Sequence, residues 1–192
     1  MSIAESRSSG SDHGDLADRI LDAAQRLVFR TGARKLSLSD VATLARVSRP
    51  TIYRYFVSKE DLIDALGKRE RRRFTAAMDH AMSGVAGVAR LEAAADVIAT
   101  FVEAQPPGWL LDLEPGFAHE QMAQALPMLA EGLVGVLQRC AREGAFATAV
   151  DPRDLAGAVA RTALSHYIFP DADRAAARRE IRAAAGLSAQ PS

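Results

Sequence analysis

The segment "VSRPTIYRYFVSKEDL", residues 47–62, is the most informative part of this sequence. Ser48 is a favourable N-terminal cap, and Pro50 follows within the first helical turn, where a missing backbone N–H is tolerated. This arrangement predicts a short helix over residues 49–55. Ser58, followed at once by "KED", carries a second N-terminal signature and predicts that another helix begins there.

The segment directly before this stretch predicts a partner helix. In "LSLSDVATLARV", residues 36–47, apolar residues recur at helical spacing, and Ser37 or Ser39 can serve as the cap. The residues on the predicted inner face are Leu38, Val41, Ala42 and Ala45. Two short helices separated by residues 46–48 have the spacing of a helix-turn-helix, whose second helix presents its outward face to the DNA major groove.

The predicted second helix divides into an inner and an outer face. At about 100° per residue, Ile52 and Phe56 point the same way and are predicted to anchor the helix in the core. Pro50 and Arg54 lie on the opposite side, and Tyr53 lies about 100° from Ile52. The outer face therefore combines basic, aromatic and apolar groups that a solvated surface does not need.

These outward groups fit the chemistry of duplex DNA. Arg49 or Arg54 can donate two hydrogen bonds to guanine O6 and N7, and Pro50 can contact a thymine methyl group. Hydroxyls able to bind phosphate belong to Thr51, Tyr53 and Tyr55. Ser37 and Lys59, near the starts of the flanking helices, are predicted to hold phosphates further along the backbone.

The remainder of the chain also predicts helices, so the expected fold class is all-α. Alanine is abundant, and no segment alternates apolar and polar residues with β-branched side chains. The first predicted helix spans about residues 15–31, and the helix that begins after Ser58 continues to about residue 82. Four more helices are predicted behind it: one through 91–102, one from about 117 to 143 that bends or restarts at Pro127, one over 152–168 and one over 171–185.

Charge and composition predict two parts with different tasks. Residues 1–75 carry 15 Lys and Arg against 10 Asp and Glu, a balance of +5, and residues 76–192 carry 9 against 14, a balance of −5. We predict a disordered tail over 1–14, a DNA-binding helix-turn-helix domain over 15–66, and an effector-binding and dimerisation domain over 67–192. The single cysteine and the absence of a membrane-length apolar span favour a cytoplasmic protein without membrane contact.

The motifs resemble those of the TetR family of bacterial transcriptional regulators. The likeness runs through Gly32, "LSLSDVATLA", "VSRPTIYRYF" and "SKEDL", and it covers about residues 15–66. It implies a homodimer, a palindromic double-stranded DNA operator and a small-molecule effector. It also implies DNA-backbone contacts by Ser37, Ser48, Thr51, Tyr53, Tyr55 and Lys59. Arg46 and Pro50 stand where the family often has glycine, and Arg46 either strains a left-handed turn or adds a phosphate contact.

The rear part predicts a binding domain rather than an enzyme. It has no phosphate loop, no nucleophile motif and no Cys or His cluster, so neither a metal nor another cofactor is expected. His119 with Glu114 and Glu120 fits surface charge better than a metal site. Large side chains gather around a proline-broken middle, and they form either an apolar effector pocket or ordinary core. The predicted effector residues are Phe101, Trp109, Leu113, Phe117, Met122, Met128, Phe146 and His166.

Two further surfaces are predicted in outline. Alanine-rich faces of the last two helices allow close approach and are the expected dimer interface. Their residues are Ala156, Ala160, Ala163, Ala176, Ala177, Ile181 and Ala184. The basic run over 68–73 either pairs with nearby acids such as Asp64 and Glu70 or adds a second DNA contact, and pairing is the preferred interpretation.

The predicted function is a sequence-specific transcriptional regulator, a repressor released from its operator by a small, largely apolar effector. The alternatives are an architectural DNA-binding protein without an effector and an enzyme that carries a DNA-binding front. Binding to a specific and to a random duplex at several salt concentrations distinguishes the regulator from the architectural protein, because an architectural protein has little sequence preference.

Overall fold

The computed structural model describes residues 8–104, 115–145, 150–169, 171, 173 and 175–187, and all regular structure in these ranges is helical. The helices are α1 (Ser8–Thr31), α2 (Leu38–Ala45), α3 (Arg49–Tyr55), α4 (Lys59–Met82), α5 (Gly87–Glu103), α6 (Pro115–Arg142), α7 (Pro152–Ile168) and α8 (Ala176–Ala184), with a 3-10 turn (Ala33–Lys35) between α1 and α2. The all-α prediction is confirmed. No helix in these ranges is both long and apolar enough to span a bilayer.

The chain divides into two compact units between Arg69 and Glu70, within α4. The N-terminal unit holds α1 to α3 and the first half of α4. Its core is formed by apolar side chains that recur at helical spacing in the sequence, and Ile20, Val41 and Ile52 are fully buried in it. This packing supplies most of the stability of helices as short as α2 and α3, because isolated helices of this length are marginal in water.

The first helix begins earlier than predicted. It starts at Ser8, so residues 8–14 are helical and differ from the predicted disordered tail, whereas residues 1–7 lie outside the described residues. Extending an existing helix by a turn or two adds one hydrogen bond per residue and avoids the cost of nucleation. The Ser- and Gly-rich composition of this segment gave no sign of that extension.

A buried arginine joins α1 to α4 inside the N-terminal unit. Arg69 is 4% exposed, and its guanidinium donates to the Asp22 carboxylate at 2.7 Å and to the Gln25 side-chain oxygen at 3.0 Å. Two other members of the basic run form the ion pairs that the sequence predicted with nearby acids. Lys68 pairs with Asp64 at 2.7 Å, and Arg73 pairs with Glu70 at 3.0 Å. Because these cations have protein partners, the run over 68–73 is not a row of unpaired positive charge.

The C-terminal unit packs α5 to α8 and the second half of α4 around a separate apolar core. Leu91, Ile98, Leu133 and Val136 are among its fully buried side chains. The α6 helix continues through Pro127 rather than restarting there. Pro127 is exposed, so water can hydrate the carbonyl group that loses its helical partner, while the neighbouring apolar residues stay packed.

The alanine faces of α7 and α8 lie in this core, which corrects the predicted dimer interface. Six of its seven residues are buried within one chain: Ala156, Ala160, Ala163, Ala176, Ala177 and Ile181. The seventh, Ala184, is partly buried against the same core. Helical periodicity identifies a buried face, but it does not reveal whether the same chain or a second copy covers that face.

The last helix is shorter than predicted because two aspartates hold the preceding turn. The Asp171 carboxylate accepts from the N–H of Asp173 at 2.8 Å, and the Asp173 carboxylate accepts from the N–H of Ala175 at 2.9 Å. Such side-chain bonds compete with helical hydrogen bonds. The helix therefore begins at Ala176 instead of about residue 171.

Candidate DNA-binding site

The turn between α2 and α3 is closed by backbone hydrogen bonds around Arg46. The N–H of Arg46 donates to the Thr43 carbonyl at 3.2 Å, and the N–H of Val47 donates to the Ala42 carbonyl at 2.9 Å. Arg46 itself has φ 55° and ψ 46°, the left-handed conformation that glycine usually supplies. The strain considered for this position is therefore present, and the exposed side chain is available for a contact as well.

The start of α3 is fixed by its predicted cap. The Ser48 hydroxyl accepts from the N–H of Thr51 at 3.2 Å and shares a hydrogen bond of 2.7 Å with the Thr51 hydroxyl. Pro50 lies in the first turn, as expected. Between them the two hydroxyls have two protons, and their mutual bond uses one, so one donor remains for a phosphate.

The predicted faces of α3 are the observed ones. Ile52 is 0% exposed and Phe56 is 6% exposed, whereas Tyr53 is 51% exposed. Ser48, Arg49, Pro50 and Arg54 are exposed, and Ser37, Thr51, Tyr55 and Lys59 are half-buried. The nine residues predicted to contact DNA thus lie in or beside α2, α3 and the start of α4, and none is buried.

Neighbouring side chains restrain two of the predicted contacts on α3. The guanidinium carbon of Arg54 lies 5.6 Å from the centre of the Tyr55 ring, a cation–π distance. The Tyr55 ring is itself tilted against Phe56, with centroids 6.5 Å apart. The ring of Tyr55 thus holds Arg54 near the outer face without using its planar hydrogen-bond donors.

Ser37 and Lys59 already have partners in the protein. The Ser37 hydroxyl donates to the Asp40 carboxylate at 2.6 Å and accepts from the N–H of Asp40 at 3.1 Å, so its single proton is in use. The Lys59 ammonium donates to the Arg34 carbonyl at 2.9 Å and keeps two further N–H donors. A phosphate therefore meets an available donor at Lys59 more readily than at Ser37.

The predicted effector residues are only partly within the described chain. Trp109, Leu113 and Phe146 lie outside it, as does the side chain of Phe117. Phe101, Met122 and Met128 are partly buried against the core of the C-terminal unit, and Phe101 meets Phe74 edge-on at 5.2 Å. The His166 side chain is 8% exposed, and its Nε2 lies 3.3 Å from the Glu180 carboxylate without hydrogen-bond alignment.

A polar pair beside these residues was missed by the sequence analysis. Gln121 is 9% exposed, and its oxygen accepts from the half-buried Arg71 at 3.2 Å. Its Nε2 is buried and has no hydrogen-bond partner among the described residues. In the same unit, burial raises the pKa of Tyr167 above its usual range. The only signal in the sequence is a glutamine on an otherwise apolar helical face, which is too common to single out.

Comparisons with known proteins agree with this geometry. The sequence model of the family described as "Bacterial regulatory proteins, tetR family" matches residues 20–66. Over 57 residues the chain is 47% identical to an uncharacterized HTH-type transcriptional regulator of Mycobacterium tuberculosis, a match that covers 30% of this chain and 28% of that protein. The chain thus matches less than a third of that relative's length.

Solved structures match over nearly the whole chain. A TetR transcription regulator from Haloarcula marismortui has a TM-score of 0.75 at 19% identity, with 90% of this chain and 97% of that chain covered. FadR from Bacillus subtilis, solved in complex with stearoyl-CoA, has a TM-score of 0.66 at 20% identity, with 88% and 98% covered. At these identities the likeness shows a shared fold.

Proposed function

We propose that this chain, whose residues 20–66 match the sequence model of the tetR family of bacterial regulatory proteins, is a homodimeric transcriptional repressor that binds a palindromic operator and is released by a small effector. The family and the relative in Mycobacterium tuberculosis are transcriptional regulators rather than enzymes. The chain's cytoplasmic location belongs to the same proposal.

The exposed face of α3 is the observation that carries this proposal. Tyr53 leaves half of a large aromatic side chain in water, and Pro50 and Arg54 lie exposed beside it. Anchoring by Ile52 on the opposite face keeps this surface rigid. A rigid, capped helix with such a surface fits the major groove, which admits an α-helix and presents base edges to it.

Each outward side chain has a proposed role. Arg54, with Arg49 as the second choice, donates to guanine O6 and N7, and Pro50 contacts a thymine methyl group. Tyr53 and Lys59 donate to phosphates and so set the register of the helix without reading sequence. Ser48, Thr51 and Tyr55 complete the proposed backbone contacts, and Ser37 joins them if its hydroxyl turns from Asp40 to a phosphate.

The effector is proposed to lie in the C-terminal unit beside Phe101, Met122 and Met128. A partly buried aromatic and methionine surface accepts an apolar ligand, because both residue types provide large contact area. The unpartnered Nε2 of Gln121 and the neighbouring Arg71 would then bind a polar group at one end of the ligand. Ligands with an apolar chain and a polar head group are therefore the first class to test, and the stearoyl-CoA bound by FadR belongs to this class.

Selection of duplexes from a random pool tests the DNA-binding role. We expect a palindromic sequence to be enriched, and Arg54→Ala to lose preference at one or two positions at a cost of about 1–3 kcal/mol. Arg139→Ala, an exposed arginine of the C-terminal unit, is the matched control and is expected to select the wild-type sequence. Tight binding without any enriched sequence would instead favour an architectural protein.

Release from the selected duplex tests the effector. Long-chain acyl-CoAs and other apolar ligands with polar head groups are titrated into the complex while anisotropy is followed. An active ligand is expected to release the wild type and to act more weakly on Gln121→Leu, since the variant lacks the buried amide. Gln124→Leu, at an exposed position of the same helix, is expected to respond like the wild type. If no ligand of this class releases the protein, the proposed effector chemistry is wrong.

A further inference from the structure

A groove in the N-terminal unit is lined by five basic side chains. It lies between α1 on one side and the 3-10 turn with α2 on the other. The basic residues are Arg19, Arg26, Arg30, Lys35 and Arg46. All five are exposed, and none belongs to the surface of α3 discussed above.

The two acidic residues of this basic groove are engaged elsewhere. Asp22 accepts from the buried guanidinium of Arg69 at 2.7 Å, and Asp40 accepts from the Ser37 hydroxyl at 2.6 Å. Among the residues that the structure describes, no carboxylate lies within ion-pair distance of the five basic groups. Five like charges that share a concave surface repel one another and focus a positive potential there. An anionic ligand would relieve that repulsion.

The basic groove borders the proposed DNA-binding surface at both ends of α2. Lys35 stands two residues before Ser37, and Arg46 stands two residues before Ser48. Two residues of extended chain span at most about 7 Å, so both basic residues remain close to the caps that face DNA. A backbone that passes Ser37 and Ser48 therefore comes within reach of the groove.

The α1 side of the basic groove matches the charge spacing of a nucleic acid. Arg19, Arg26 and Arg30 lie along about 16 Å of helix at 1.5 Å per residue. Each strand of B-DNA carries one phosphate per 3.4 Å of helix axis, so this length corresponds to about five phosphates. Backbone carbonyls hold two of these side chains in place: Arg19 donates to Ala45 at 3.1 Å, and Arg26 donates to Asp22 at 3.3 Å.

Arg46 is an independent sign that the basic groove has a function. Its left-handed backbone is unfavourable for any residue with a side chain, and glycine would remove the strain. Strained residues persist mostly where the side chain or the conformation is used. Here the strain brings a fifth positive charge to the end of the groove nearest α3.

We propose that the basic groove is a second phosphate-binding site, which holds the DNA backbone next to the segment that α3 reads. This inference rests on the proposed DNA-binding function and adds to it a set of contacts from α1, the 3-10 turn and Arg46. The contacts are independent of sequence. They strengthen binding to every duplex and make it more dependent on salt.

Salt dependence of duplex binding measures these contacts directly. The probe is a fluorescein-labelled 40-bp duplex of arbitrary sequence, titrated with full-length protein between about 50 and 200 mM NaCl, because backbone contacts need no operator. The double variant Arg26→Gln with Arg30→Gln is expected to lower the slope of log affinity against log salt by about 1.8 per subunit. It is also expected to bind at least about tenfold more weakly at 0.1 M salt.

The matched control removes two exposed arginines from the C-terminal unit. Arg139→Gln with Arg142→Gln changes the net charge by the same amount and is expected to leave the slope within error of the wild type. Arg46→Gly gives a second test, in which folding stability and the salt dependence of binding change in opposite directions. We expect a higher melting temperature and a slope of log affinity against log salt that is lower by about 0.9 per subunit. A melting temperature that rises while the slope stays unchanged would exclude Arg46 from DNA binding.

Two results separate a wrong groove from a wrong function. If the wild type binds the duplex and the groove variants keep its slope, the groove proposal fails and the regulator proposal stands. If the wild type binds no duplex even at 50 mM salt, both fail.

Free phosphate compounds are tested as the alternative source of the anion. Pyrophosphate is added at constant ionic strength while thermal unfolding is followed, and we expect no saturable stabilisation that depends on Arg26 and Arg30. A saturable rise in melting temperature that the double variant loses, together with an unchanged DNA slope, would assign the groove to a small phosphorylated ligand and overturn DNA as its occupant.

Discussion

Single residues in the turn between α2 and α3 carry a measurable conformational cost. Arg46 is the only non-glycine residue with a positive φ in the described ranges. For a residue with a Cβ this conformation costs about 1–2 kcal/mol relative to a right-handed one, whereas glycine adopts it freely. Glycine also loses more chain entropy on folding, which offsets part of the gain.

Arg46→Gly is therefore expected to stabilise the protein by about 0.5–1 kcal/mol, the difference between relieved strain and added entropy. Urea unfolding measured through the N-terminal unit reports the change. Thr43→Gly, three residues earlier in an ordinary helical conformation, is the control and should destabilise by at least about 0.3 kcal/mol, because glycine has the lower helix propensity. Equal destabilisation by both variants would mean that Arg46 is not strained in solution.

At the level of single elements, α3 depends on one hydroxyl for both its start and its proposed contact with DNA. Ser48 satisfies an N–H group that the helix cannot satisfy internally. The same side chain is exposed beside the proposed phosphate contacts. Loss of the cap and loss of a DNA contact must therefore be measured separately.

Two substitutions of Ser48 separate these roles. Ser48→Ala is expected to cost about 1 kcal/mol of folding stability, because the N–H of Thr51 loses its partner. Ser48→Asp keeps a capping oxygen and a favourable charge at the helix start, so stability should stay near the wild type. Its carboxylate should nevertheless weaken duplex binding at least about tenfold by repelling phosphate. Wild-type affinity in Ser48→Asp would place Ser48 away from DNA.

A second element-level dependence joins α5 to the end of α6. The Glu143 carboxylate accepts from Arg90 at 2.6 Å and from the N–H of Gly87 at 2.7 Å. These bonds, first that of Arg90, lower the pKa of Glu143 below its ordinary value of 4.5. Because the folded protein holds the proton less tightly than the unfolded chain, this contribution is complete above pH 4.5 and is lost as pH falls through the lowered pKa.

Glu143→Gln should therefore reduce the loss of folding stability between pH 6 and pH 3. The amide keeps an acceptor for Gly87 but loses the charge, so the variant should be less stable than the wild type at pH 6 and closer to it at pH 3. Urea midpoints at the two pH values measure the change. Glu131→Gln, at an exposed position of α6, should change stability by the same amount at both pH values. A difference between wild type and Glu143→Gln that does not vary with pH would contradict the role of the charge.

At the level of the whole molecule, features that depend on neighbouring residues were predictable from the sequence. Features formed by residues from several elements were not. The caps at Ser48 and Ser58, the position of Pro50 and the burial of Ile52 follow from a few neighbouring residues, and the sequence predicted all of them. For α2 the sequence left Ser37 and Ser39 as alternative caps, and Ser37 is the one observed. The family prediction, drawn from the same short motifs, is confirmed over residues 20–66, which the family model matches. The basic groove was missed because its five cations come from three elements that meet only after α1 packs on α2.

The same distinction applies to the proposed dimer. With the alanine faces of α7 and α8 buried, the surface left for a second copy is the outer one, which carries Ala158 and Ser165 on α7, the exposed Phe169 at its end and Ala183 on α8. Small side chains there permit close helix approach, and Phe169 supplies apolar area. We propose this outer face as the dimer interface.

Ala158→Glu with Ala183→Glu should convert the dimer to a monomer of about 20.6 kDa, because unpaired carboxylates become buried at the interface. Light scattering after size-exclusion chromatography measures the mass. Ala123→Glu, an exposed alanine of α6, should remain dimeric. Retention of the dimer by the double variant would move the interface to another face.

The single cysteine supplies a built-in probe of one half of the molecule. Cys140 is fully buried in the C-terminal unit, its thiol donates to the Gly87 carbonyl at 3.1 Å, and burial raises the pKa of the thiol. A thiol in this state reacts with a labelling reagent only after its surroundings open. The rate of labelling therefore reports how often the C-terminal unit opens, with no background from the N-terminal unit. An effector that binds the C-terminal unit would slow that rate, so a ligand could be recognised before any operator is known.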